Sequence, residues 1–292
     1  MLNECEQVAA LINMLPHIQR LSGQVIVIKY GGSAMLNKTL KQQVVNDVVF
    51  FSYIGLRPIL VHGGGKTIDL WLKKLLIKPL FKDGVRITDD ATMEVVEMVL
   101  AGKINKELVV LINTKGGNAV GLSGKDGSLA LAQPFNMKQM GFVGTIVNVN
   151  TKILSLLMDN CYIPVIASIS YDEFGQTYNI NADLLASRIA IALNAEKLIF
   201  LTDMPGILSD INNTSTLIQT LDINTAYSLE KDGIIKGGMI PKVHSCIDAL
   251  QHGVISTHVI DGRVSHSLLS TVLTSNCNGS TITTSKNIEE FV

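Results

Sequence analysis

The chain has 292 residues, 47% of them hydrophobic, and a mean hydropathy of +0.33, enough apolar material for one large or two modest cores and too much for a disordered chain. With 24 Lys+Arg against 25 Asp+Glu the formal charge is -1, so no basic excess exists to neutralise a phosphate backbone, and composition argues against a nucleic-acid partner. The most apolar stretches, 44–61 and 189–201, are broken by Asp47 and Arg57 or by Glu196 and Lys197, short of the roughly 18 uninterrupted apolar residues of a membrane span.

At the start of the chain Glu4 and Glu6 precede the first basic residue, Arg20, a pattern of neither a secretory signal nor an Arg-rich transit peptide, so action where the protein is made is expected. Val8, Leu11, Ile12, Leu15 and Ile18 recur at helical spacing and predict an amphipathic helix over 5–20, kinked near Pro16. Its apolar face covers either its own domain or a neighbouring subunit. Short β-branched runs follow at 25–28, 58–61, 163–166 and 198–201, separated by helical-period segments at 37–53 and 91–112. Strands without polar alternation, spaced by helices, predict a parallel sheet covered on both faces. Segments 202–216 and 275–285 have loop-like composition, and no long linker or fixed-period repeat divides the chain, so one compact domain is expected. Cys5, Cys161, Cys246 and Cys277 form no C-x-x-C pair, which argues against a zinc site or a disulfide framework and for a reducing compartment. Only 5 of the basic residues are arginines, and Ile and Asn are abundant, as in an AT-rich bacterial or organellar genome.

Two predicted strands run into glycine clusters, and ligands of open α/β sheets bind outside the carboxyl ends of strands. The first cluster, I-K-Y-G-G-S at 28–33, leaves backbone N–H groups and the Lys29 ammonium facing one point, an anion site or else a tight turn with a surface lysine. The second, V-H-G-G-G-K-T at 61–67, ends like a P-loop but has Leu60 where that motif needs glycine; Gly124-Lys125 fails likewise at Ala119. Neither cluster has the spacing of a dinucleotide fingerprint. In N-I-N-A-D at 179–183, Asn181 or Asp183 is read first as a cap of the helix 184–193. A further strand ends in L-T-D-M-P-G-I at 201–207, and K-G-G-M-I-P-K at 236–242 opens a helix with Lys242 in its first turn, where an ammonium opposes the helix dipole unless an anion is near. Lysines and glycine turns gathered at strand ends suit phosphoryl transfer, which needs positioning and charge stabilisation and no covalent nucleophile.

Together with G-V-R-I-T at 84–88, these motifs in this order resemble the acetylglutamate kinases of the amino-acid kinase superfamily over nearly the whole chain. The resemblance implies an α/β fold, a three-layer αβα sandwich around a mainly parallel sheet. It implies an N-terminal helical extension at 1–22 and a kinase domain at 23–292, with an acetylglutamate lobe at about 23–190 and a nucleotide lobe at about 191–292. It implies phosphorylation of the γ-carboxylate of N-acetyl-L-glutamate by ATP with Mg2+, in arginine biosynthesis. By matching position, Lys29 and Lys242 would stabilise the transferring phosphoryl group and Asp183 would hold both lysines. Gly31, Gly32, Thr202 and Asp203 would line the nucleotide, and Gly64, Gly65, Arg86 and Asn179 the acetylglutamate, with Arg86 gripping its α-carboxylate. Magnesium would arrive on the ATP phosphates and need no protein cage. His62 is read as structural, and Cys161, Cys246 and Met239 as core residues.

The N-terminal helix also resembles that of the hexameric, arginine-inhibited members, where such a helix interlaces dimers, so a homo-oligomer is expected. Arg263–Leu269 resembles their C-terminal signature, yet Ser270 and Thr271 stand where a glutamate is usual, which weighs against arginine feedback. Photosynthetic members bind a PII signalling protein, and no motif here decides that point. The expected location is the cytoplasm or a plastid stroma. Two other readings remain: a kinase of a related acylated amino acid such as acetyl-aminoadipate, since one methylene shifts a pocket by only about 1–3 kcal/mol, and a non-catalytic sensor of ATP or an amino acid.

Overall fold

The computed structural model describes residues 3–32, 35–82, 84–274 and 277–284; Ser33 of the first glycine motif and the side chains of Cys5 and Leu11 lie outside the described set. The chain begins with α1 (Glu4–Leu21), β1 (Val25–Tyr30), α2 (Lys38–Tyr53), β2 (Arg57–His62) and α3 (Gly65–Lys74), then the hairpin β3 (Leu80–Lys82) and β4 (Val85–Ile87). Next, α4 (Asp90–Glu97), a π-helical stretch (Met98–Ile104) and α5 (Asn105–Thr114) follow one another directly. Then come β5 (Ala119–Ser123), β6 (Ala130–Pro134), α6 (Met137–Met140), β7 (Val143–Val149), α7 (Lys152–Asp159), β8 (Ile163–Ala167), β9 (Ile169–Tyr171), β10 (Thr177–Ile180) and α8 (Ala182–Ala192). The remainder is β11 (Lys197–Thr202), β12 (Thr220–Asp222), α9 (Ile223–Lys231), α10 (Ile240–Gln251), β13 (Ser256–Asp261), α11 (Ser267–Leu273) and β14 (Gly279–Thr283).

Eight strands form the main sheet in the order β12-β14-β13-β11-β1-β2-β8-β5, parallel except where β14 runs antiparallel to β13. All six residues of β11 and of β13 are buried, which explains why these strands carry no polar alternation. Two apolar layers cover the faces. Ile26, Ile28, Leu60, Ile199 and Leu201 pack with Val45 and Val48 of α2 and Leu108 of α5. Val27, Ile59, Val61, Leu198 and Phe200 pack with Leu185 and Ile189 of α8 and Val243 of α10. Burial of this extent supplies the main driving force for the fold.

The predicted first helix forms, opened by a capping box between Asn3 and Glu6, with Pro16 inside it. Among its described side chains, Met14, Ile18 and Leu21 reach the core, whereas Val8, Ile12 and Leu15 are exposed. No described helix is long and apolar enough to cross a membrane.

The structure departs from the sequence reading in three places. The loop-like segment 275–285 contains β14, a fully buried strand between β12 and β13. The polar composition misled because its serine and threonine side chains bond inside the fold: Ser280 Oγ donates to the Ile218 carbonyl (2.6 Å) and accepts from the Ile207 N–H (2.8 Å). A small closed barrel of β6, β7, β10 and β9 was not anticipated, since its strands are short and partly exposed. Cys161, expected in the core, is exposed in the turn after α7 with φ of 59°, while Cys246 is buried as expected.

Candidate active site

β1 lies between β11 and β2, and the chain leaves it on one side for β2 and returns on the other as β11. The carboxyl end of such a strand opens into a crevice. Lys29 stands there, in register with Val61 of β2 and Phe200 of β11.

Asn181 is the N-cap of α8, its side chain accepting from the N–H groups of Asp183 (2.8 Å) and Leu184 (3.4 Å). Capping is therefore done by Asn181, and the Asp183 carboxylate is turned to other work. Its Oδ1 lies 2.8 Å from Lys29 Nζ and its Oδ2 2.5 Å from Lys242 Nζ, so one carboxylate bridges two ammonium groups. Lys242 follows Pro241 within the first turn of α10, a helix with no side-chain cap; the Ser187 hydroxyl donates to the Ser245 carbonyl (3.0 Å) and ties α8 to α10. Burial alone would raise the Asp183 pKa, but the charges of Lys29 and then Lys242, with their hydrogen bonds, outweigh it and hold the group at about 2. At neutral pH the trio is +1, an excess that favours an anion.

The first glycine turn follows directly. A side chain at Gly31 would come 2.7 Å from Lys29 Nζ, and Gly32, at φ of 74°, packs against the Asp203 carboxylate. Lys29, Gly32, Thr202, Asp203 and Lys242 line a cleft of about 350 Å³ together with Met204, Lys236 and Met239. Thr202 closes its own turn by accepting the Met204 N–H at 2.7 Å.

On the other side of β1, β2 ends in His62 and the second glycine turn. His62 is fully buried, and desolvation lowers its pKa to about 4 despite a hydrogen bond to the Gly63 carbonyl. Because that carbonyl can only accept, Nδ1 carries the proton and donates (3.1 Å), and Nε2 accepts from Asn105 Nδ2 (3.1 Å). Both ring nitrogens are thus occupied, which fits the structural reading and leaves none for proton transfer. Gly64 admits no side chain because Ile104 and Leu100 press against it, whereas the missing side chain of Gly65 faces open space. From Gly65 runs α3, whose N-terminus has no side-chain cap, the backbone arrangement that receives anions.

Arg86 of β4 reaches this turn: Nη2 donates to the Gly65 carbonyl (3.3 Å), Nη1 lies 2.8 Å from Asp69 Oδ1, and the guanidinium stacks 4.7 Å from the Phe81 ring centroid. Asn179 joins it through Thr88: Asn179 Nδ2 donates to Thr88 Oγ1 (3.1 Å), which donates to the Arg86 carbonyl (3.0 Å). The structure therefore gathers Lys29, Asp183, Lys242, Gly31, Gly32, Thr202 and Asp203 around one cleft, and Gly64, Gly65, Arg86 and Asn179 around a second, adjoining turn. Lys66 bridges the two, its Nζ 3.6 Å from Asp203 Oδ2. Sequence reasoning assigned no role to Lys66, Lys236, Asp69 or Asn105; Lys236 had a signal, being the first residue of K-G-G-M-I-P-K.

The model of the amino acid kinase family matches residues 24–261. The chain belongs to the amino acid kinase family. It is 55% identical over 281 residues to a protein of Pyropia yezoensis named acetylglutamate kinase, covering 96% of this chain and 99% of that one. It is 55% identical over 271 residues to the acetylglutamate kinase of Nostoc punctiforme, covering 93% and 91%. Among solved structures, carbamate kinase from Giardia lamblia superposes with a TM-score of 0.67 at 17% identity, over 90% of this chain and 99% of that one. N-acetylglutamate synthase from Neisseria gonorrhoeae superposes with a TM-score of 0.83 at 24% identity, over 94% of this chain; the chain spans 63% of that protein's length. At these identities the two structures speak for the fold alone.

Proposed function

We propose that this amino acid kinase transfers the γ-phosphoryl group of MgATP to the γ-carboxylate of N-acetyl-L-glutamate, the acyl-phosphate-forming step of arginine biosynthesis. The observation that carries the chemistry is the Lys29–Asp183–Lys242 bridge at the carboxyl end of the central strand, beside two glycine turns. Choice of acceptor rests on the relatives named acetylglutamate kinase, which match the chain over nearly its whole length.

A carboxylate oxygen of the acceptor attacks the γ-phosphorus, the bond from that phosphorus to the β,γ-bridging oxygen breaks, and ADP departs with that electron pair. No proton is moved, consistent with a site whose one histidine is buried and fully hydrogen-bonded. Negative charge gathers on the transferring oxygens, and Lys29 and Lys242 stabilise it from two directions. Asp183 orients both ammonium groups and is a positioning residue. Gly31 and Gly32 offer N–H groups to the phosphates, with Thr202 and Asp203 along the nucleotide; Gly64, Gly65 and Asn179 hold the acetylglutamate, and Arg86 its α-carboxylate. Magnesium enters as part of the nucleotide substrate; among the described residues no group of three His, Cys, Asp or Glu could hold a metal ion, and the Asp183 carboxylate is committed to two lysines.

In this reading residues 23–190 carry the acceptor and 191–292 the nucleotide, with 1–22 an extension that binds a second subunit through Val8, Ile12 and Leu15. A guanidinium finds no carboxylate at Ser270 or Thr271: Ser270 Oγ donates to the Ser267 carbonyl (3.0 Å), and Thr271 pairs with Cys277 (3.8 Å). This weighs against arginine feedback, which the arginine arm of the assay decides. The algal and cyanobacterial relatives support a plastid stroma or bacterial cytoplasm as its place of action.

The test is ATP turnover with hydroxylamine trapping of the acyl phosphate, comparing N-acetyl-L-glutamate with glutamate, aspartate and N-acetyl-aminoadipate, with and without arginine. Hydroxamate formed mainly from N-acetyl-L-glutamate is expected. A preference for acetyl-aminoadipate, or binding of ATP with no acyl phosphate from any acceptor, refutes the assignment.

A further inference from the structure

The π-helical stretch Met98–Ile104 separates α4 from α5 without interrupting the helix. Its wider turn changes which side chains face the sheet: the buried stripe passes from Val96 to Leu100 and then five residues on to Asn105, before returning to α-helical spacing at Leu108 and Ile112. A polar amide is thereby delivered to a position only 1% exposed.

Its Nδ2 faces three acceptors that belong to three strands: the Val165 carbonyl of β8 (2.8 Å), the Leu122 carbonyl of β5 (3.2 Å) and His62 Nε2 at the end of β2 (3.1 Å). Its Oδ1 is buried and has no hydrogen-bond partner among the described residues. Leaving a buried carbonyl unpaired is costly, and an apolar residue of the same shape would avoid that cost, so the amide's worth lies in what its NH2 holds. The group it holds that is closest to chemistry is the imidazole, whose other nitrogen donates to the carbonyl of Gly63. The same π-helical stretch seats the next residue of the turn, since Leu100 and Ile104 are the atoms that press on Gly64. One helical irregularity thus fixes the glycine turn from both ends.

We infer that Asn105 is a positioning residue for the acceptor: through His62 it sets the orientation of the peptide groups at Gly63–Gly65, and hence the grip on the acylated amino acid, without touching that substrate. The inference rests on the reading of this turn as the acceptor site. The neutral state of His62, enforced by burial, agrees with it, because only a bare Nε2 can accept from Asn105. Any backbone shift at Gly63 or Gly64 moves N–H groups that must meet a carboxylate at hydrogen-bonding distance.

Two variants test it. Asn105→Leu keeps the shape and removes the donor. Gly121→Ala, on the edge strand β5, keeps the amide but drives a methyl group against Asn105 Oδ1 from behind. In steady-state kinetics each variant that folds should raise KM for N-acetyl-L-glutamate roughly tenfold or more while KM for ATP stays within about twofold. The parent's 15N imidazole spectrum should show His62 with Nδ1 protonated and Nε2 bare and hydrogen-bonded; Asn105→Leu should lose the hydrogen-bond shift at Nε2. A thermal-stability loss with both KM values unchanged would mean that Asn105 only holds strands together and would overturn the inference. So would a parent His62 protonated at Nε2. If the parent makes no acyl phosphate from acetylglutamate, the functional reading fails separately. The imidazole spectrum, together with the effect of each variant on binding of the true acceptor, then still decides the role of Asn105.

Discussion

Replacing Asp183 with asparagine keeps the size of the side chain and removes the one charge that separates two lysines. In the parent, Lys29 and Lys242 sit on opposite oxygens of a carboxylate that is 6% exposed. Two ammonium groups so placed are roughly 5 Å apart, and at an effective dielectric constant of about 20 they repel by about 3 kcal/mol once the carboxylate is gone. Neither lysine is fully enclosed, at 13% and 20% exposure, so both can swing toward the cleft and relieve part of that repulsion. The expected cost in stability is therefore about 2–3 kcal/mol, or a fall in Tm of roughly 4–8 °C. MgATP should restore more stability to the variant than to the parent, because its phosphates take the place of the lost anion. The kcat should fall roughly 10²-fold or more, since the two ammonium groups are no longer held where charge develops. Calorimetry with and without nucleotide, together with the hydroxamate assay, reads all three. A variant with kcat within about tenfold of the parent, and no added benefit from ATP, would refute the assignment of Asp183 as the group that organises both lysines.

Arg86→Ala should raise KM for acetylglutamate by roughly 10²-fold with KM for ATP unchanged, and Arg86→Lys should not restore it, because an ammonium cannot reproduce a planar two-point grip; equal changes in both KM values in initial-rate kinetics would place Arg86 outside the acceptor site. Protonating His62 gives a pH dependence of stability. The unfolded chain takes up this proton near 6.5 and the folded one only near 4, so the contribution is complete above 6.5 and is lost as the pH falls toward 4. Urea unfolding at about pH 8 and about pH 5 should differ by about 2 kcal/mol from this group, a difference that His62→Gln should remove. Ile12→Glu, at a position 62% exposed on α1, should leave the kinetics intact while lowering the molar mass seen by light scattering; an unchanged mass would mean that α1 does not bind a second subunit.

The sequence pattern revealed the helices 37–53 and 91–112 and the buried strands because apolar periodicity survives without any knowledge of tertiary contacts. The glycine turns at 31–32 and 63–65 were legible because a strand running into consecutive glycines has few uses. Three features were hidden. Asn181 and Asp183 are equally good caps by residue type, and only the direction of their side chains separates a cap from an ion-pair bridge. Asn105 lies inside an ordinary helical pattern, and nothing in M-V-L-A-G-K-I announces a π-turn that swings it inward. Arg86 was singled out for a carboxylate, but its neighbour Asp69, 17 residues earlier and inside α3, could be paired with it only once β4 and α3 were in place.

The position of β14 has a bearing on how the protein is made. Among the described strands, β12 pairs with β14 alone, which itself is anchored on β13. During synthesis β1, β2, β5 and β8 can pair as soon as they leave the ribosome, and β11 and β13 can join them in turn. The segment from β12 through α9 must wait for Gly279–Thr283, translated after all the other described strands of the sheet. A chain stopped before residue 279 would thus leave the β13 edge of the sheet open, the kind of edge on which nascent chains aggregate.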